Sequence, residues 1–415
     1  MVEYLLEPII AFNKVCLERN GQMDSHDGPF NYDKGSHLLS VESRELQRMV
    51  RSFAENEIQS AQLEMDRNHE FPYECWEKWS GLGMAGAMLP EKYGGADIDA
   101  LSYIVAIEEI ARVSQTFALI WQVHVLVGNM HDLLGTEDQK NYWLPRFASG
   151  EILGAFALTE PNAGSDAGGV QTKAVRDGDN WLINGTKVFI SNAGTDISDG
   201  MVVMAATGSR ENGRPILSSF IVPRKTSGFK LGQSFDKMAW HGMDNRELVF
   251  EDAIVPAKNL LGVEGAGLKQ ALGALNLGRI VFGALGVGLI QACLDESLRY
   301  AKERKQFGEP LSSFQLMQAK LSDMAIHAEA VRHFTYHVAS LFNQGFDCHA
   351  EAAMVKTFGT EMATKACLDA FQIHGGYGFM HDYKVNRFFR ETKMLEIGEG
   401  TNEIQRLLIA RSLGC

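Results

Sequence analysis

Gln372-Ile-His-Gly-Gly-Tyr-Gly-Phe379 is the segment of this chain that says most about its architecture, and it follows a long run of helical periodicity. Paired glycines directly after a helix let main-chain NH groups face a diphosphate. A helix C-cap would explain one glycine, but hardly three in four residues. The segment is not a Rossmann fingerprint, because no strand precedes it and the G-x-G-x-x-G spacing is missing. We therefore predict a phosphate-binding turn between helices.

The next segment, Met394-Leu-Glu-Ile-Gly-Glu-Gly-Thr-Asn-Glu-Ile404, places Glu399 between two glycines in a predicted break between helices. A carboxylate on irregular backbone with apolar neighbours can be desolvated, which raises its pKa toward neutrality, as a general base requires. The alternative is a solvated loop acid, which is the usual situation of a glutamate. Glu396 is a nearby competitor, but its Leu-Glu-Ile setting suggests the end of a helix.

Upstream, Phe156-Ala-Leu-Thr-Glu-Pro-Asn-Ala-Gly-Ser-Asp166 predicts a strand that ends at Thr159 and runs into a loop of small residues. Thr159 and Ser165 can donate hydroxyl hydrogen bonds, and Gly164 permits close backbone approach to a planar or phosphorylated ligand. The alternative is an ordinary corner of a β-sandwich, which is the commoner role of such a loop.

The segment Lys187-Val-Phe-Ile-Ser-Asn192 begins as a strand and ends in polar groups. Phe189 is placed to cover an aromatic ring and Ser191 to donate a hydrogen bond to it. Most aromatic residues in strands are simply core residues, so the segment alone is a weak indication.

The segment Arg304-Lys-Gln-Phe-Gly308 follows a long predicted helix, and Gln315 comes shortly after it. A phosphate clamp is one interpretation of Arg304. Simple capping is the other, because an arginine near a helix C-terminus is favoured by the helix dipole.

The periodicity divides the chain into an extension and three zones. Helical spacing from about Ser40 to Gly150 gives way to short alternating runs divided by turn signals, from Ile152 to about Leu261. Long helical segments return from Gly267, which implies a bundle. We predict an α+β, mainly α, fold with these parts: an N-terminal extension at 1–39, a helical domain at 40–151, a central antiparallel β-sandwich or barrel at 152–265 and a C-terminal helical bundle at 266–415.

The extension is predicted to be helical near Glu3–Leu17 and irregular at Asn20–Lys34. It carries six acidic residues, whereas a transit peptide is poor in acids, and it has no secretory apolar region with a cleavage site. The six cysteines of the chain lack CxxC or CxxH spacing, so we expect no disulfide framework, no metal site and a reducing compartment. These features predict a cytoplasmic protein of bacterial type.

Composition excludes several classes of protein. A chain of 415 residues is expected to form two or three sub-domains, and 45% apolar with 22% charged residues is typical of a soluble globular protein. The net charge of −13 argues against a nucleic-acid-binding surface, but leaves room for a local basic patch that holds an anionic cofactor. No membrane span is expected, because the longest apolar candidate, around Ile280–Cys293, fits a buried helix better.

In this order, the segments resemble the acyl-CoA dehydrogenase family from about Ser40 to the C-terminus. Ala157-Leu-Thr-Glu-x-x-Ala-Gly-Ser-Asp is similar to the first family signature. Gln372-x-x-Gly-Gly-x-Gly-Phe, with Asp382, Arg387 and Glu391, is similar to the second at full length. The resemblance implies an N-terminal helical domain, a central β-domain and a C-terminal four-helix bundle, which agrees with the three zones.

The resemblance also implies an FAD cofactor and an acyl-CoA substrate. Residues implied to hold the flavin ring and ribityl chain are Phe156, Ala157, Leu158, Thr159, Ser165, Phe189, Ile190 and Ser191. Residues implied to hold the pyrophosphate and adenosine, across an interface between subunits of a homotetramer, are Arg304, Gln315, Gln372, Ile373, His374, Gly375 and Gly376. Thr401, Asn402 and Glu403 would complete the FAD site. Contacts to the acyl-CoA are implied for Ser165, Asn276, Arg279 and Gly400.

By the same resemblance, Glu399 is the catalytic base that removes the α-proton, while flavin N5 accepts the β-hydride and passes the electrons to an electron-transferring flavoprotein. Some relatives carry the glutamate at the position matched by Gly278, which has no side chain to serve. Glutaryl-CoA dehydrogenases carry an arginine at the position that we align with Phe117, so a glutaryl-type substrate is disfavoured. We expect the acyl preference to depend on helix residues such as Trp121, Gln122 and Val125.

Two other functions stay open at this point. An acyl-CoA oxidase or flavin monooxygenase of the same fold would react with O₂, but monooxygenase relatives generally lack the glutamate. Peroxisomal oxidases usually end in a targeting tripeptide, and this chain ends Ser412-Leu-Gly-Cys415. A non-catalytic binder related to DNA-associated alkylation-response flavoproteins would carry a further basic C-terminal domain.

Overall fold

The computed structural model describes residues 39–415, so the predictions for Glu3–Leu17 and Asn20–Lys34 lie outside the described residues. The chain divides into a unit of residues 1–44 and a unit of residues 45–415. In the first unit the Ser40 hydroxyl accepts a hydrogen bond from the Ser43 amide at 3.1 Å. This bond starts the first described helix.

The N-terminal part is helical, as predicted. Short side chains begin several helices, because an oxygen at the N-cap accepts a hydrogen bond from a free backbone amide. Asp99 accepts from the Ser102 amide at 2.7 Å, and Ser114 accepts from the Phe117 amide at 2.9 Å. The helices are α1 Val41–Phe53, continued by a π-helical turn at Ala54–Ile58, then α2 Gln59–Asn68, α3 Tyr73–Gly81, α4 Ala100–Val113, α5 Gln115–Leu134 and α6 Glu137–Ala148.

Eight strands follow and form one sheet. They are β1 Phe156–Ala157, β2 Lys173–Asp177, β3 Asn180–Ser191, β4 Met201–Ser209, β5 Pro215–Val222, β6 Phe229–Ser234, β7 Asn245–Pro256 and β8 Leu260–Leu261. The order across the sheet is β6-β7-β3-β2-β4-β5-β8, and β1 pairs with β4. A core of alternate side chains from these strands, such as Ile183, Val203 and Phe220, lies beneath it.

The sheet is mixed, whereas the sequence predicted an antiparallel domain. Strands β1 and β2 both run parallel to β4. The reason is topological, because β3 folds back on one edge of β2 and the chain then returns to the other edge as β4. Strand β3 is a single long strand, and its pairing with β7 is interrupted by register shifts after Ile183 and after Lys187.

The C-terminal part is again helical, and the predicted breaks lie where expected. A hairpin of β9 Lys305–Gln306 and β10 Glu309–Pro310 separates two long helices. The helices are α7 Gly267–Glu303, α8 Gln315–Asn343, α9 His349–His374, α10 Lys384–Ile397 and α11 Asn402–Ser412, with a 3₁₀ turn at Gly375–Phe379. Helix α7 is the central element, since it packs against α4, α5, α8, α9 and α10.

Helix α7 is long and apolar enough to cross a membrane by length and composition, and its apolar stretch is entirely buried in the protein. The apolar stretch is longer than the Ile280–Cys293 run seen in the sequence. Its burial is what the sequence predicted.

Close packing of α7 on α9 depends on two glycines. A β-carbon added to Gly286 would lie 2.7 Å from the carbonyl oxygen of Gly359, which is too close for any side chain at position 286. A buried ion pair holds α4 to the bundle, because Arg332 Nε lies 2.8 Å from Glu108 Oε1 and Tyr336 donates to the other oxygen of Glu108 at 2.8 Å. The helices that border the candidate site are therefore fixed relative to one another.

Candidate active site

Glu399 lies in the short connection between α10 and α11, as the two flanking glycines predicted. Its backbone is left-handed, with a φ of 57°, and Gly400 follows with a φ of 84°. The side-chain amide of Gln405 donates to the carbonyl oxygens of Glu399 and Gly400 at 3.1 and 2.9 Å. Thr401 starts α11 by accepting from the Ile404 amide at 3.3 Å. The carboxylate is thus carried by a strained turn that its neighbours hold in place.

The carboxylate of Glu399 is desolvated. The residue as a whole is partly exposed, but its Oε1 atom is buried and has no hydrogen-bond partner within residues 39–415. Burial raises the pKa of Glu399 to about 7, although the charges of Arg279 and Lys356 act in the opposite direction. A carboxyl group with this pKa can accept a proton near neutral pH.

Helix α7 passes directly beneath this carboxylate. A β-carbon added to Gly278 would lie 1.9 Å from Glu399 Oε1, so glycine leaves the space that the carboxylate occupies. Arg279 is 7% exposed and donates to the side-chain oxygen of Asn276 at 2.6 Å. Asn276 also contacts the imidazole of His349. The predicted substrate residues Asn276 and Arg279 therefore lie together, beside the predicted base.

Lys356 is a charged group near the base that the sequence did not single out. It is fully buried on α9, and burial lowers its pKa to about 8. Its ammonium donates to Asn402 Oδ1 at 2.6 Å and to the Glu396 carbonyl at 3.0 Å. Asn402, predicted to bind cofactor, is buried in this network, whereas Glu403 is exposed on the first turn of α11. No sequence signal marks a lysine on the inner face of a helix.

A cavity of about 250 Å³ lies between α4, α5, α7 and the end of α8, next to the glycine that adjoins the base. Gly278 lines it, as do Gln122 and Val125, two of the residues expected to govern acyl preference. Trp121 does not line it. The indole of Trp121 instead packs edge-on against Trp79 at 5.0 Å and Tyr103 at 4.8 Å between ring centroids.

The first predicted signature lies along the edge of the sheet. Lys187, which is fully buried, donates to the Leu158 carbonyl at 2.9 Å and to Glu160 at 2.8 Å. Glu160 in turn accepts from the amides of Gln171 and Thr172 at 2.6 and 2.9 Å. This buried ion pair, which the sequence analysis missed, fixes the strand end from Phe156 to Thr159. The Glu of Thr-Glu-Pro was its only visible signal.

The end of β3 carries an exposed ring. Phe189 is 61% exposed, its φ is 60°, and its ring lies 5.0 Å from that of Phe235. Ile190 is buried and Ser191 half-buried, whereas Ser165 lies exposed in the neighbouring loop. A left-handed backbone and an exposed aromatic ring are unfavourable without a ligand, so these residues fit a planar ring system.

A second cluster lies at the far end of α7. A cavity of about 540 Å³ is lined there by Arg304, Ile373, His374, Gly375 and Gly376, and the guanidinium of Arg304 lies over the Tyr377 ring. β-carbons added to either glycine would meet no atom within 4 Å, so the main chain is open to a ligand. Gln315 and Gln372 are exposed near this cluster but do not line the cavity.

Taken together, these surfaces fit a flavin dinucleotide, with an aromatic ring for the flavin and an arginine with open glycines for the phosphates. One chain does not bring them into one site. Helix α7 carries Arg279, which lies beside the base, and ends at Glu303, one residue before Arg304. The 24 residues from Arg279 to Glu303 span roughly 36 Å at 1.5 Å per residue.

Comparison with known proteins gives the same family over most of the described region. Family models match residues 40–151 as "Acyl-CoA dehydrogenase, N-terminal domain", residues 155–253 as "Acyl-CoA dehydrogenase, middle domain" and residues 265–414 as "Acyl-CoA dehydrogenase, C-terminal domain". An acyl-CoA dehydrogenase of Bacillus subtilis is 46% identical over 369 residues, which cover 89% of this chain and 97% of that protein.

Two solved structures are similar throughout. Butyryl-CoA dehydrogenase from Megasphaera elsdenii has a TM-score of 0.87 at 37% identity and covers 94% of this chain and 100% of its own. A chain from a structural study of the electron transferring flavoprotein of Acidaminococcus fermentans has a TM-score of 0.87 at 39% identity. The match covers 90% of this chain and 98% of that chain. From its three domains, its fold and its relatives, the protein belongs to the acyl-CoA dehydrogenase family of flavoprotein oxidoreductases.

Proposed function

We propose that this protein converts an acyl-CoA thioester to the 2-enoyl-CoA, with Glu399 as the base that removes the α-proton. The observation that carries the proposal is the Glu399 carboxylate, whose Oε1 is buried without a hydrogen-bond partner in the described part of the chain and whose pKa is raised by burial to about 7. It adjoins the cavity beneath Gly278, where an acyl chain would lie. An α-proton is weakly acidic, so the base needs both a raised pKa and a desolvated setting.

Residues of this chain would bind and orient the thioester. Asn276 and Arg279 lie next to the base and are almost fully buried, so they are suited to fix the acyl-CoA at the inner end of the cavity. The main-chain NH groups of Glu399 and Gly400 are the proposed donors to the thioester carbonyl, whose oxygen gains negative charge as the α-proton leaves. Ser165, in the exposed loop after β1, would contact the acyl-CoA from the sheet side.

We propose FAD as the cofactor, which supplies an acceptor for the β-hydride when it is bound. The flavin ring and ribityl chain would lie against the segment from Phe156 to Ser165 and against Phe189–Ser191. The pyrophosphate and adenosine would be held by the second cluster, with Arg304, Gln315 and Gln372–Gly376. Thr401–Glu403 would complete the site at the start of α11.

The second cluster would come from a neighbouring subunit, because α7 holds it far from the base of its own chain. We therefore propose a homotetramer with FAD sites at subunit interfaces. An electron-transferring flavoprotein is the proposed acceptor, in line with the similarity to a chain from a structural study of such a protein. A cytoplasmic location is consistent with the five free cysteines among the described residues.

The direct test is anaerobic bleaching of the bound flavin by acyl-CoA. We expect Glu399→Gln to lose at least about a thousandfold in bleaching rate, since removal of a general base that acts in the first step costs several powers of ten. Glu396→Gln is the matched control, because this acid lies three residues away and bonds to Thr364 and Lys393 on the protein surface. Bleaching at the wild-type rate in Glu399→Gln contradicts the assignment.

A further inference from the structure

The cavity next to the base is lined by two polar side chains that have no hydrogen-bond partner among the described residues. Tyr103 on α4 is 1% exposed, and its hydroxyl has no hydrogen-bond partner within residues 39–415. Gln122 on α5 is 3% exposed, and no hydrogen bond of its amide to another described side chain or carbonyl is present. Both line the same cavity. A buried polar group without a partner is unfavourable, so a ligand that pairs with these two groups gains binding energy.

These groups lie close to the proposed base. A β-carbon added to Gly278 would lie 3.4 Å from Gln122 Nε2 and 1.9 Å from Glu399 Oε1. Burial raises the pKa of the Tyr103 phenol, and the negative charge of Glu399 raises it further. A substituent that reaches both side chains is therefore attached only a few bonds beyond the α-carbon.

The rest of the cavity limits the charge of that substituent. Its other described lining residues are mainly apolar, and none is a lysine, arginine or histidine. The described lining contains one acidic side chain, that of Asp132, which lies 3.6 Å from Lys140 in a partly exposed ion pair. A distal carboxylate would be desolvated there without a cation, which is unfavourable. An uncharged group is not penalised in this way.

On the basis of the proposed function, we infer that the preferred acyl-CoA carries an uncharged hydroxyl on the γ- or δ-carbon of a short acyl chain. A hydroxyl both donates and accepts, so it can pair with the amide oxygen of Gln122 and the phenol of Tyr103 together. An unsubstituted chain of the same length leaves both side chains unpaired. The two groups thus select for hydroxyacyl over alkyl substrates.

The experiment compares isosteric thioesters on the intact flavoprotein, with flavin bleaching and steady-state kcat/KM as readouts. The pairs are 4-hydroxybutyryl-CoA with pentanoyl-CoA and 5-hydroxypentanoyl-CoA with hexanoyl-CoA, and glutaryl-CoA tests the charged case. We expect at least one hydroxyacyl substrate to exceed its alkyl partner by about tenfold or more in kcat/KM, as a buried site that pairs with a hydroxyl discriminates in its favour. Glutaryl-CoA should be the poorest substrate.

Tyr103→Phe and Gln122→Leu should each reduce that ratio to within about twofold of unity, because each removes a partner of the hydroxyl. Leu126→Ala is the matched control, since it enlarges the same cavity without removing a polar group, and it should leave the ratio unchanged. Flavin content and circular dichroism establish that each variant is folded.

A wild-type ratio near unity or below overturns the inference, and so does a ratio that survives both substitutions. If Tyr103 acted only through the base, both substrates would slow together and the ratio would stay constant, which also overturns it. Failure of the proposed function looks different, because no thioester in the panel would then bleach the flavin.

Discussion

Glu399 combines two properties that rarely occur together. Its Oε1 has no hydrogen-bond partner among residues 39–415, and yet the charges of two cations, Arg279 and Lys356, act on its carboxylate. Burial raises its pKa to about 7, and Arg279 and Lys356 limit the rise. Because the base must be ionised, kcat/KM should increase with pH and level off above about pH 7. The fall of kcat/KM on the acidic side of the profile would therefore report the pKa of the buried Glu399 carboxylate.

Lys356→Met removes one of the cations that favour the ionised form of Glu399. We expect the acidic limb of the kcat/KM profile to move to higher pH in this variant. Lys365→Met on the same helix is the control, because Lys365 pairs with Asp323 at the surface and should leave the limb in place. A limb that stays fixed or moves to lower pH in Lys356→Met would show that Lys356 does not act on the base.

The same carboxylate should reduce stability at alkaline pH. The pKa of Glu399 is about 7 in the folded state and 4.5 in an unperturbed group, so the unfolded chain releases the proton first as pH rises. Below pH 4.5 the buried carboxyl therefore does not lower the free energy of unfolding. That free energy falls between the two pKa values, and above pH 7 it is lower by about 3 kcal/mol, at about 1.36 kcal/mol per pKa unit. Urea unfolding of Glu399→Gln and wild type at pH 5 and pH 8.5 should show the variant gaining relative stability at the higher pH.

Among single elements, strand β3 does the most to shape the sheet side of the site. Its Lys187 and the Glu160 carboxylate form a fully buried pair at 2.8 Å that anchors the strand end carrying the first signature. Lys187→Met leaves the buried Glu160 carboxylate without its cation, with only the amides of Gln171 and Thr172 as partners, so we expect a loss of about 3 kcal/mol in the free energy of unfolding. Lys230→Met is the matched control, since its pair with Glu251 is exposed and is worth about 1 kcal/mol or less. Equal losses in the two variants would contradict the assigned role.

At this scale the sequence was informative where a pattern is local. The 3.6-residue period predicted α4 and α7, and the glycines predicted the breaks at Gly375 and around Glu399. The strands β2 and β6 carry no such pattern, since their side chains are largely exposed and show no clear alternation. Residues that meet only through tertiary packing, such as Lys356 and Tyr103 beside the base, left no local pattern to read.

For the whole molecule, the order of helical, β and helical parts could be predicted because each part repeats its own period over many residues. The direction of β4 relative to β2 could not, as it depends on which edge of the sheet the chain returns to. The family signatures identified the candidate site, but the separation of Arg304 from the base along α7 emerges only from the folded helix.

The distance between Arg304 and the base within one chain leads to a prediction about assembly. Phe307 is 95% exposed in the hairpin beside Arg304, and Leu316 and Phe379 nearby are 78% and 71% exposed. Apolar side chains this exposed indicate an interface. We expect Phe307→Asp to give smaller assemblies in light scattering and to retain less flavin, whereas Leu63→Asp on α2 leaves the assembly intact. A Phe307→Asp protein of wild-type size and flavin content would contradict the proposed interface.

The length of helix α7 has a genetic consequence. Since each complete site would take its base from one chain and its phosphate-binding arginine from another, a Glu399→Gln chain and an Arg304→Ala chain are both inactive alone but carry complementary lesions. Mixed in one cell, they should form hybrid assemblies in which some sites are intact. Two defective alleles of this gene are therefore expected to rescue each other, a behaviour that no site confined to a single chain can show.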